Sequence, residues 1–403
     1  MERSSITFLF LVIALSSTFG IGYGQNGTFD VRDFGATGNG LNDDSRAFLE
    51  AWQRACGAVG EIQTLNIPIG RKYMVKPVQF DGPCNSKNIV IQVDGSIEAP
   101  STIGEWTGCE LGSWLGFQNV KGLTIKGAGV IDGKGSIWWR QKPQITNYTT
   151  GTNFAAPAAL RFRYCDELAL SGFTSLNSPN KHIMIHGSNG VDISSVHVYA
   201  PEYSPNTDGI VLYGSMRVNI FNSVIKTGDD CIALKSGCSF VNISRVACGP
   251  GHGISVGSLG RHPNDRVEEV SVRNVVFYGT QNGARIKTFR GGCNGYIRGI
   301  SFSNIRLVQT RNPIIIDQYY FSRWHAGNGE IKVSDITFRG FRGTSASNEA
   351  IILKCSNLWC TNIVMDHVNI SSMIPGRPTY SYCENANGRS SFTTPDVPCL
   401  KKQ

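Results

Sequence analysis

Two adjacent carboxylates in KTGDDCIALKSG, residues 226–237, have the type and spacing that acid–base chemistry requires. Asp229 and Asp230 follow a glycine and precede a run of apolar strand-forming residues. Two ionised carboxylates repel each other at such close range, but Gly-Asp-Asp is also ordinary turn chemistry, and most acidic pairs are solvated loop residues. This stretch alone leaves a turn and a catalytic pair as alternatives, so the elements around it must decide.

A loose repeat of strand-like segments surrounds the pair. Segments with alternating apolar residues begin at positions 191, 218, 241, 270, 300 and 336. Most are followed by a second short segment of the same kind, such as DGIVLYG (208–214) and DCIALKSG (230–237). Alternation indicates strands with one buried face, and units of this length must stack to bury it. The sequence therefore predicts an all-β chain folded as a parallel β-helix.

Both ends of such a solenoid need a cover. Residues 43–56 predict a helix whose N-terminus Asp43 or Asp44 can cap. The apolar stripe of this helix comprises Phe48, Ala51, Trp52, Ala55 and Cys56. Four cysteines in the tail are expected to help seal the other end: Cys355, Cys360, Cys383 and Cys399. Residues 136–157 interrupt the repeat and predict a long loop.

Stacking the coils brings polar residues together. The second strands are aligned on their first buried isoleucines, which are Ile183, Ile210, Ile232, Ile254 and Ile286. In this alignment Asp208, Asp230 and His252 share one column, with Asp229 one residue earlier at the same edge. Adjacent strands lie about 4.8 Å apart, so the three residues are expected to form a short ladder.

The same alignment predicts cations beside the ladder. Because strand side chains alternate between faces, Arg285 and Lys287 point outward if Ile286 points inward. The same parity places Lys235 on the outward face, and His182 falls in the column of Arg285 on the coil before Asp208. A ladder that only stabilises turns is expected to repeat one residue type, whereas here each coil contributes a different group.

Clustered carboxylates favour acid–base catalysis, because their repulsion should raise at least one pKa, as a general acid requires. Two or more carboxylates in different protonation states suit glycoside hydrolysis, and the cations suit a sugar that carries a carboxylate. The sequence shows neither a metal-ligand set nor a Ser–His pair at recognisable spacing. We therefore expect no metal and no cofactor.

Four motifs in order carry a resemblance to a known family. SPNTDG (204–209), GDD (228–230), GHG (251–253) and RIK (285–287) resemble the signature motifs of the polygalacturonases, glycoside hydrolase family 28. VRDFGATGNGLNDDSRAFLEAWQRAC (31–56) resembles the N-terminal segment of the plant members. The resemblance covers essentially the whole mature chain. It implies a right-handed parallel β-helix and hydrolysis of α-1,4-linked galacturonate in pectin, with inversion and without a metal.

The resemblance also implies roles for individual residues. Asp229 is expected to be the general acid, with His252 helping to keep its proton in place, while Asp208 and Asp230 activate the water. The residues expected to bind substrate are Asn206, Arg285, Lys287, Tyr320 and His182, of which His182 comes from the alignment alone. A Cys231–Cys248 disulfide beside the site is implied as well.

The stereochemical outcome is where the geometry and the resemblance differ. Carboxyl groups on neighbouring coils suggest the separation of about 5–5.5 Å that is typical of retaining enzymes, whereas inverting enzymes hold them about 6.5–9.5 Å apart. The family pattern implies inversion, and we adopt it as the expectation.

Alternative functions share parts of the pattern. An exo-acting polygalacturonase and a rhamnogalacturonan hydrolase are the nearest ones, although the latter is expected to lack the RIK set. A pectate lyase would need calcium, and a non-catalytic wall-binding protein would not need the intact motifs. Endo action is favoured, but the choice between endo and exo depends on loops at 136–157 and 317–329.

The remaining features predict a secreted protein. Residues 1–24 have the basic start, short apolar run and small residues of a signal peptide, and 25–403 are expected to form one catalytic domain. The 12 cysteines suggest disulfides, and Asn26, Asn147, Asn242 and Asn369 lie in glycosylation sequons. The net charge of +8 suits a polyanionic polysaccharide. We expect a monomer that binds pectin, with no nucleic-acid or membrane partner.

Overall fold

The computed structural model describes residues 26–106, 112–140, 156–320 and 329–403. Every strand pair among these residues is parallel, and successive coils stack into a right-handed parallel β-helix. The predicted fold class is therefore confirmed. The signal peptide predicted for residues 1–24 lies outside the described residues, and no helix within them is long and apolar enough to cross a bilayer.

One side of the β-helix is an eleven-stranded sheet. Its strands are Val78–Asp81, Ser113–Gln118, Ala158–Arg163, Ile183–His186, Ile210–Tyr213, Ile232–Leu234, Ile254–Leu259, Asn282–Phe289, Asn312–Tyr320, Glu349–Lys354 and Tyr380–Glu384. Its inner face is apolar, and each rung repeats the apolar residue of the rung before. Ile183, Ile210, Ile232 and Ile254, for example, are in register and fully buried. Burying each such side chain stabilises the fold by about 1.5–3 kcal/mol.

The other sides of each coil belong to a twenty-stranded sheet. Its strands are Gly27–Asp30, Asn39–Asp43, Ile62–Ile67, Lys72–Met74, Asn88–Val93, Ser96–Glu98, Leu123–Lys126, Val130–Asp132, Leu168–Ser171, Thr174–Leu176, Asn189–Ser194, His197–Tyr199, Met216–Lys226, Cys238–Cys248, Asp265–Tyr278, Gly295–Thr310, Ile331–Ser345, Cys360–Ser372, Ala386–Thr394 and Lys401–Lys402. The longer strands contain a residue with positive φ, which Asn tolerates best. Asn274 and Asn304 stack there, and Asn304 Nδ2 donates to Asn274 Oδ1 at 2.6 Å.

The predicted register is confirmed in one sheet and partly wrong in the other. In the twenty-stranded sheet, the residues that begin each repeat pair as expected, from Val191 through Val218 to Ile336. In the eleven-stranded sheet, Ile254 pairs with Ala284 and not with Ile286. Ala284 is a buried inward residue, which alignment on isoleucines overlooked. The shift is two residues, so Arg285 and Lys287 keep their outward parity.

The predicted N-terminal helix spans Ser45–Gly57, and the whole apolar stripe is buried. Phe48 and Trp52 pack edge-on against Tyr73 and Phe80, so the helix covers the first coils. The capping prediction is only half right, because Asp44 occupies the N-cap position without a side-chain cap bond. Its carboxylate instead accepts hydrogen bonds from the backbone N–H groups of Thr37 and Gly38.

Disulfides support the coils and the tail. The Cys231–Cys248 bridge is confirmed, and further bridges join Cys56–Cys84, Cys355–Cys360 and Cys383–Cys399. Cys165 and Cys238 are buried thiols, and Cys293 is a partly exposed one. The interruption predicted at 136–157 begins with a one-turn helix, Ser136–Trp139, and residues 141–155 lie outside the described residues. Two 3₁₀ turns, Val31–Phe34 and Ile103–Glu105, complete the helical elements described.

Candidate active site

Asp230 is the centre of a buried ion network. Its side chain is 1% exposed, and its carboxylate accepts hydrogen bonds from Arg285 Nη2, from Ser255 Oγ at 2.9 Å and from Lys287 Nζ at 3.0 Å. Arg285 Nε also donates to Ser255 Oγ at 2.8 Å. Burial raises the pKa of Asp230, but Arg285 and Lys287 outweigh this effect and hold the pKa well below its ordinary value. Asp230 is therefore ionised.

Asp229 points to a different set of partners. Its Oδ1 lies 2.9 Å from His252 Nδ1 and accepts the backbone N–H of Asp230 at 2.8 Å, while its Oδ2 accepts Asn206 Nδ2 at 3.3 Å. Burial raises the pKa of Asp229, but the hydrogen bond and charge of His252, together with the backbone N–H of Asp230, outweigh it, so the pKa is lowered. The two neighbouring aspartates thus face different partners from the same turn.

Asp208 is the carboxyl that holds a proton most tightly. Burial raises its pKa to about 6, the nearby Lys181 opposes the increase, and the charges of Asp229 and Asp230 add to it. Lys181 Nζ is 3.6 Å from Asp208 Oδ1. The sequence predicted that at least one clustered carboxyl has a raised pKa, and that carboxyl is Asp208. Among the three aspartates, the pKa is raised at Asp208 and lowered at Asp229 and Asp230, whereas the resemblance implies that Asp229 is the general acid.

Lys235 adds a cation to the same surface. Its Nζ donates to the backbone carbonyl of Gly257 at 2.8 Å. Burial and, to a smaller extent, the neighbouring Lys287 lower its pKa to about 8, while Asp230 and Asp208 oppose the shift. The aspartates are therefore surrounded by cations from three coils, Lys181, Lys235 and the pair Arg285 and Lys287, so a polyanion meets positive charge on this face.

The aspartates open onto a cleft. One cavity of about 560 Å³ is lined by Asp208, Asp229, Asp230 and Asn206, among others, and an adjoining one of about 310 Å³ is lined by His252 and Arg285. Lys287 and Tyr320 line both cavities, and Lys287 Nζ lies 5.2 Å from the centre of the Tyr320 ring. These dimensions suit a polar polymer that lies along the sheet.

His182 is not part of this surface, which corrects the prediction that placed it in the column of Arg285. The column of Arg285 continues through Ser255 to Met184. His182 is fully buried, and its Nδ1 lies 2.9 Å from Ser175 Oγ. Burial lowers its pKa to about 3, so it is neutral. Strict alternation fails here because His182 precedes the strand that begins at Ile183.

Among the described residues, Asp229, Asp230 and His252 form a group that can be considered for metal binding, since their ligand atoms lie within 4.8 Å of one another. The donor set is poorly suited to a divalent cation. Asp230 already accepts hydrogen bonds from Arg285 and Lys287, and those two positive charges oppose a third. The arrangement suits proton transfer better than cation binding.

The structure brings together all the predicted site residues except His182. Two contributors were not singled out from the sequence, although each had a signal. Ser255 lies between Arg285 and Asp230 and shares the outward column of Arg285. Lys181 precedes Asp208 by one rung, which the pairing of Ile183 with Ile210 implies. Together these groups place carboxyls of different proton affinity beside cations. Such an arrangement can cleave a bond in an anionic polymer by acid–base catalysis.

Comparison with known proteins agrees with this chemistry. The model of glycosyl hydrolases family 28 matches residues 56–394. The chain is 42% identical to a probable polygalacturonase of Arabidopsis thaliana, over 94% of this chain and 81% of that protein. It is 37% identical to an exopolygalacturonase of Zea mays, over 94% of this chain and 92% of that protein.

The fold has a close counterpart among solved structures. An exopolygalacturonase from Thermotoga maritima superposes with a TM-score of 0.78 at 18% identity, with 94% of this chain and 93% of that chain covered. This likeness concerns the fold alone, whereas the family match and the plant relatives span nearly all of the sequence. The chain therefore belongs to glycosyl hydrolases family 28 and is a glycoside hydrolase.

Proposed function

We propose that this protein hydrolyses the α-1,4 bonds of polygalacturonate, the acidic backbone of pectin, by an inverting mechanism without a metal. The observation that carries the proposal is the group of three aspartates with unequal proton affinities in one cleft with Arg285 and Lys287. The similarity to a probable polygalacturonase and an exopolygalacturonase supports the substrate. Cations beside catalytic carboxyls fit a sugar whose own carboxylate must be neutralised.

Asp229 is the proposed general acid. Within the part of the chain that the structure describes, its Oδ2 makes only the long contact with Asn206, and its carboxyl lines the cleft, so it can reach the oxygen of the leaving sugar. Asp208 and Asp230 hold the attacking water, and Asp230 stays ionised because of its two cations. The proton that Asp208 holds in the free enzyme must reside on Asp229 when the bond breaks, and the approach of anionic substrate favours this by raising the pKa of Asp229.

Arg285 and Lys287 are proposed to bind galacturonate carboxylates while they hold Asp230. A guanidinium has five N–H donors, and the bonds to Ser255 and Asp230 use two of them. Lys287 has three, and it lines both parts of the cleft. Tyr320, whose ring lies beside Lys287, is proposed to contact the same sugar.

Endo action is the favoured mode. Exo action is the alternative, and the Zea mays relative is an exopolygalacturonase. The early products of digestion distinguish them. Mixed oligomers from polygalacturonate indicate internal cleavage, and galacturonate monomer alone indicates release from an end. A preference for rhamnogalacturonan over polygalacturonate would instead identify a related pectinase.

We also propose that the protein is secreted as a monomer and acts in the cell wall. Four disulfides among the described residues are typical of proteins that mature in an oxidising compartment. The signal peptide is predicted to end at about residue 24. N-terminal sequencing of the protein from a wall extract tests this prediction, because the mature chain should begin just after that residue.

The first expected result separates hydrolysis from elimination. With polygalacturonate and an excess of a divalent-metal chelator, reducing ends should appear at the rate seen without chelator, and no ultraviolet-absorbing unsaturated product should form. The reason is that the cleft supplies its own positive charges, Arg285 and Lys287, where a lyase would use calcium. Loss of activity with the chelator, restored by calcium, would refute the mechanism.

The anomer of the first product tests the stereochemistry. Proton NMR recorded during the first minutes of digestion should show β-galacturonate at the new reducing end, because water attacks the face opposite the leaving oxygen. Oxygen atoms of Asp229 and Asp230 lie within 4.8 Å of each other, so carboxyl spacing alone favours retention. An α product would show that one of the aspartates is a nucleophile.

The pH profile should reflect Asp208. The three aspartates must share one proton so that Asp229 can act as the acid. In the free enzyme Asp208 binds that proton most strongly, because burial is the main cause that raises its pKa to about 6. We expect kcat/KM to fall tenfold per pH unit above about 6. Lys181→Gln removes a charge that lowers this pKa, so the falling limb should move to higher pH. The exposed Lys401→Gln serves as the control, and a limb that moves to lower pH in Lys181→Gln would contradict the assignment.

A further inference from the structure

Lys235 is a cation of the cleft without a role in the acid–base steps. It lines the cavity of about 560 Å³ together with the three aspartates, whereas Arg285 lines the adjoining cavity of about 310 Å³. Lys287 lines both cavities. Lys235 therefore brings positive charge to the part of the cleft that contains Asp208.

Lys235 and Lys287 lie on one outward column of the eleven-stranded sheet, with Gly257 between them. Leu234 pairs with Val256, so the residues that follow them, Lys235 and Gly257, lie side by side, and Gly257 pairs with Lys287. Gly257 has no room for a side chain, because a β-carbon there would lie only 2.1 Å from the backbone oxygen of Lys287. The floor of the cleft is therefore open between the two lysines.

The aspartates nearest to Lys235 have cations of their own. Asp230 accepts hydrogen bonds from the two cations of RIK (285–287), and Asp208 Oδ1 lies 3.6 Å from Lys181 Nζ. The contact that Lys235 Nζ makes is with a neutral group, the carbonyl oxygen of Gly257, at 2.8 Å.

The remaining carboxylates of the cavity also face other groups. Asp229 faces His252, and Asp265 accepts the backbone N–H groups of Gly260 and Arg261 at 2.8 Å and 3.1 Å. In the part of the chain that the structure describes, no carboxylate is within ion-pair distance of the Lys235 ammonium group.

An added carboxylate would stabilise the charged form of Lys235. Burial and, to a smaller extent, Lys287 lower its pKa to about 8, although Asp230 and Asp208 oppose the shift. The lowered pKa means that the charge is held at a cost, which a nearby anion reduces. An ammonium group has three N–H donors, and the bond to Gly257 uses one of them.

The sugar that water attacks is the one that reaches Lys235. In the proposed mechanism Asp208 and Asp230 hold the water, so the sugar that they face occupies the larger cavity, which Lys235 lines. The leaving sugar occupies the adjoining cavity, which Arg285 lines. The two sugars on either side of the cleaved bond thus meet different cations.

We infer that Lys235 binds the carboxylate of the galacturonate residue that water attacks, and that it selects a free acid over a methyl ester at this position. The inference rests on the proposed function and adds a residue that determines its specificity. A methyl ester has no charge, so it offers Lys235 a weaker acceptor than a carboxylate does.

The test uses a nitrophenyl digalacturonoside, because the sugar linked to the released nitrophenol is by definition the one attacked. A matched substrate has a methyl ester on that sugar alone. The wild-type kcat/KM should be at least about tenfold higher for the free acid, in line with one charge-assisted hydrogen bond. Lys235→Gln should bring this ratio to about one, while its amide can still donate to the carbonyl of Gly257.

The ratio separates recognition from support of the backbone. If Lys235 only holds the Gly257 carbonyl, Lys235→Gln should slow both substrates equally and leave the ratio unchanged, which would overturn the inference. A ratio of about one in the wild-type protein would also overturn it, whether or not the variant folds. Lys332→Gln, which removes an exposed lysine from the twenty-stranded sheet, is the control and should not alter the ratio.

A binding measurement separates failure of this inference from failure of the proposed function. In an Asp229→Asn background, calorimetric titration should show that the free-acid glycoside binds about tenfold more tightly than its ester, and adding Lys235→Gln should remove the difference. If the wild-type protein cleaves neither polygalacturonate nor the nitrophenyl glycoside, the proposed function fails and this titration alone decides the role of Lys235. Equal affinity for the two ligands before Lys235 is replaced would contradict that role.

Discussion

Asp229→Asn is expected to lower kcat on polygalacturonate by at least about a thousandfold while the protein remains folded. Asparagine has nearly the same shape as aspartate and still accepts the backbone N–H of Asp230, so the turn is preserved. It has no proton to give to the leaving oxygen. Steady-state kinetics with the polymer measures the loss, and circular dichroism with the melting temperature checks the fold.

The leaving group distinguishes an acid from a residue that holds water. An oligogalacturonoside of an acidic phenol leaves without protonation, so Asp229→Asn should recover most of its activity on that substrate. Asp208→Asn and Asp230→Asn should stay inactive on both substrates, because their proposed role is at the water. The matched control is Asp192→Asn, because Asp192 is exposed on the twenty-stranded sheet and accepts a hydrogen bond from Asn219 there. Near-normal turnover of the polymer by Asp229→Asn would refute the assignment.

The coil register was predictable because the core enforces it. A one-residue slip would turn every inward isoleucine and valine to solvent, so the alternation in the sequence fixes the pairing from Val191 to Ile336. The register was wrong at one strand. Ala284 and Ile286 both point inward there, and the alignment used Ile286 where the structure pairs Ala284 with Ile254. A small buried residue carries a weaker signal than an isoleucine, although both are inside.

His182 shows where alternation stops being reliable. Within a strand neighbouring side chains point to opposite faces, but His182 lies at the turn before the strand, and there the backbone need not alternate. Its backbone N–H donates to the carbonyl of Asp208, which places it next to the coil of the site, while its ring lies inside. The partner that makes burial tolerable, Ser175, is on another strand and gave no local signal.

The distribution of protons among the aspartates also required the structure. The sequence indicated that the carboxyls repel one another, but it did not show which of them the cations contact. Both Arg285 and Lys287 contact Asp230, and His252 contacts Asp229, so among the three aspartates burial leads to a net increase in pKa at Asp208 alone. Which carboxyl retains the proton is therefore a property of side-chain direction, which the position of a residue in the chain does not determine.

Asp208→Asn and Asp230→Asn should change stability in opposite directions at neutral pH, although both should abolish activity. Asp230→Asn leaves Arg285 and Lys287 buried without a carboxylate, and breaking a buried pair in this way costs about 3–5 kcal/mol. Both cations are less than a tenth exposed, so water cannot compensate. The melting temperature of this variant should be lower at pH 7 and also at pH 4, because the pKa of Asp230 is held well below 4.

Asp208→Asn should instead stabilise the protein above pH 6. A folded-state pKa of about 6, raised above the ordinary value by burial, means that the stability associated with this group is greatest at low pH and is lost as pH rises through that value. Asparagine is neutral throughout, so it should avoid a penalty of about 1–3 kcal/mol at pH 7 and bring no gain at pH 4, where Asp208 is largely protonated. Lys181 is 28% exposed and loses its partner at little cost. Calorimetric melting at pH 4 and pH 7 measures the difference. If Asp208→Asn is less stable than the wild type at pH 7, the ionised Asp208 stabilises the fold and is not destabilising as proposed.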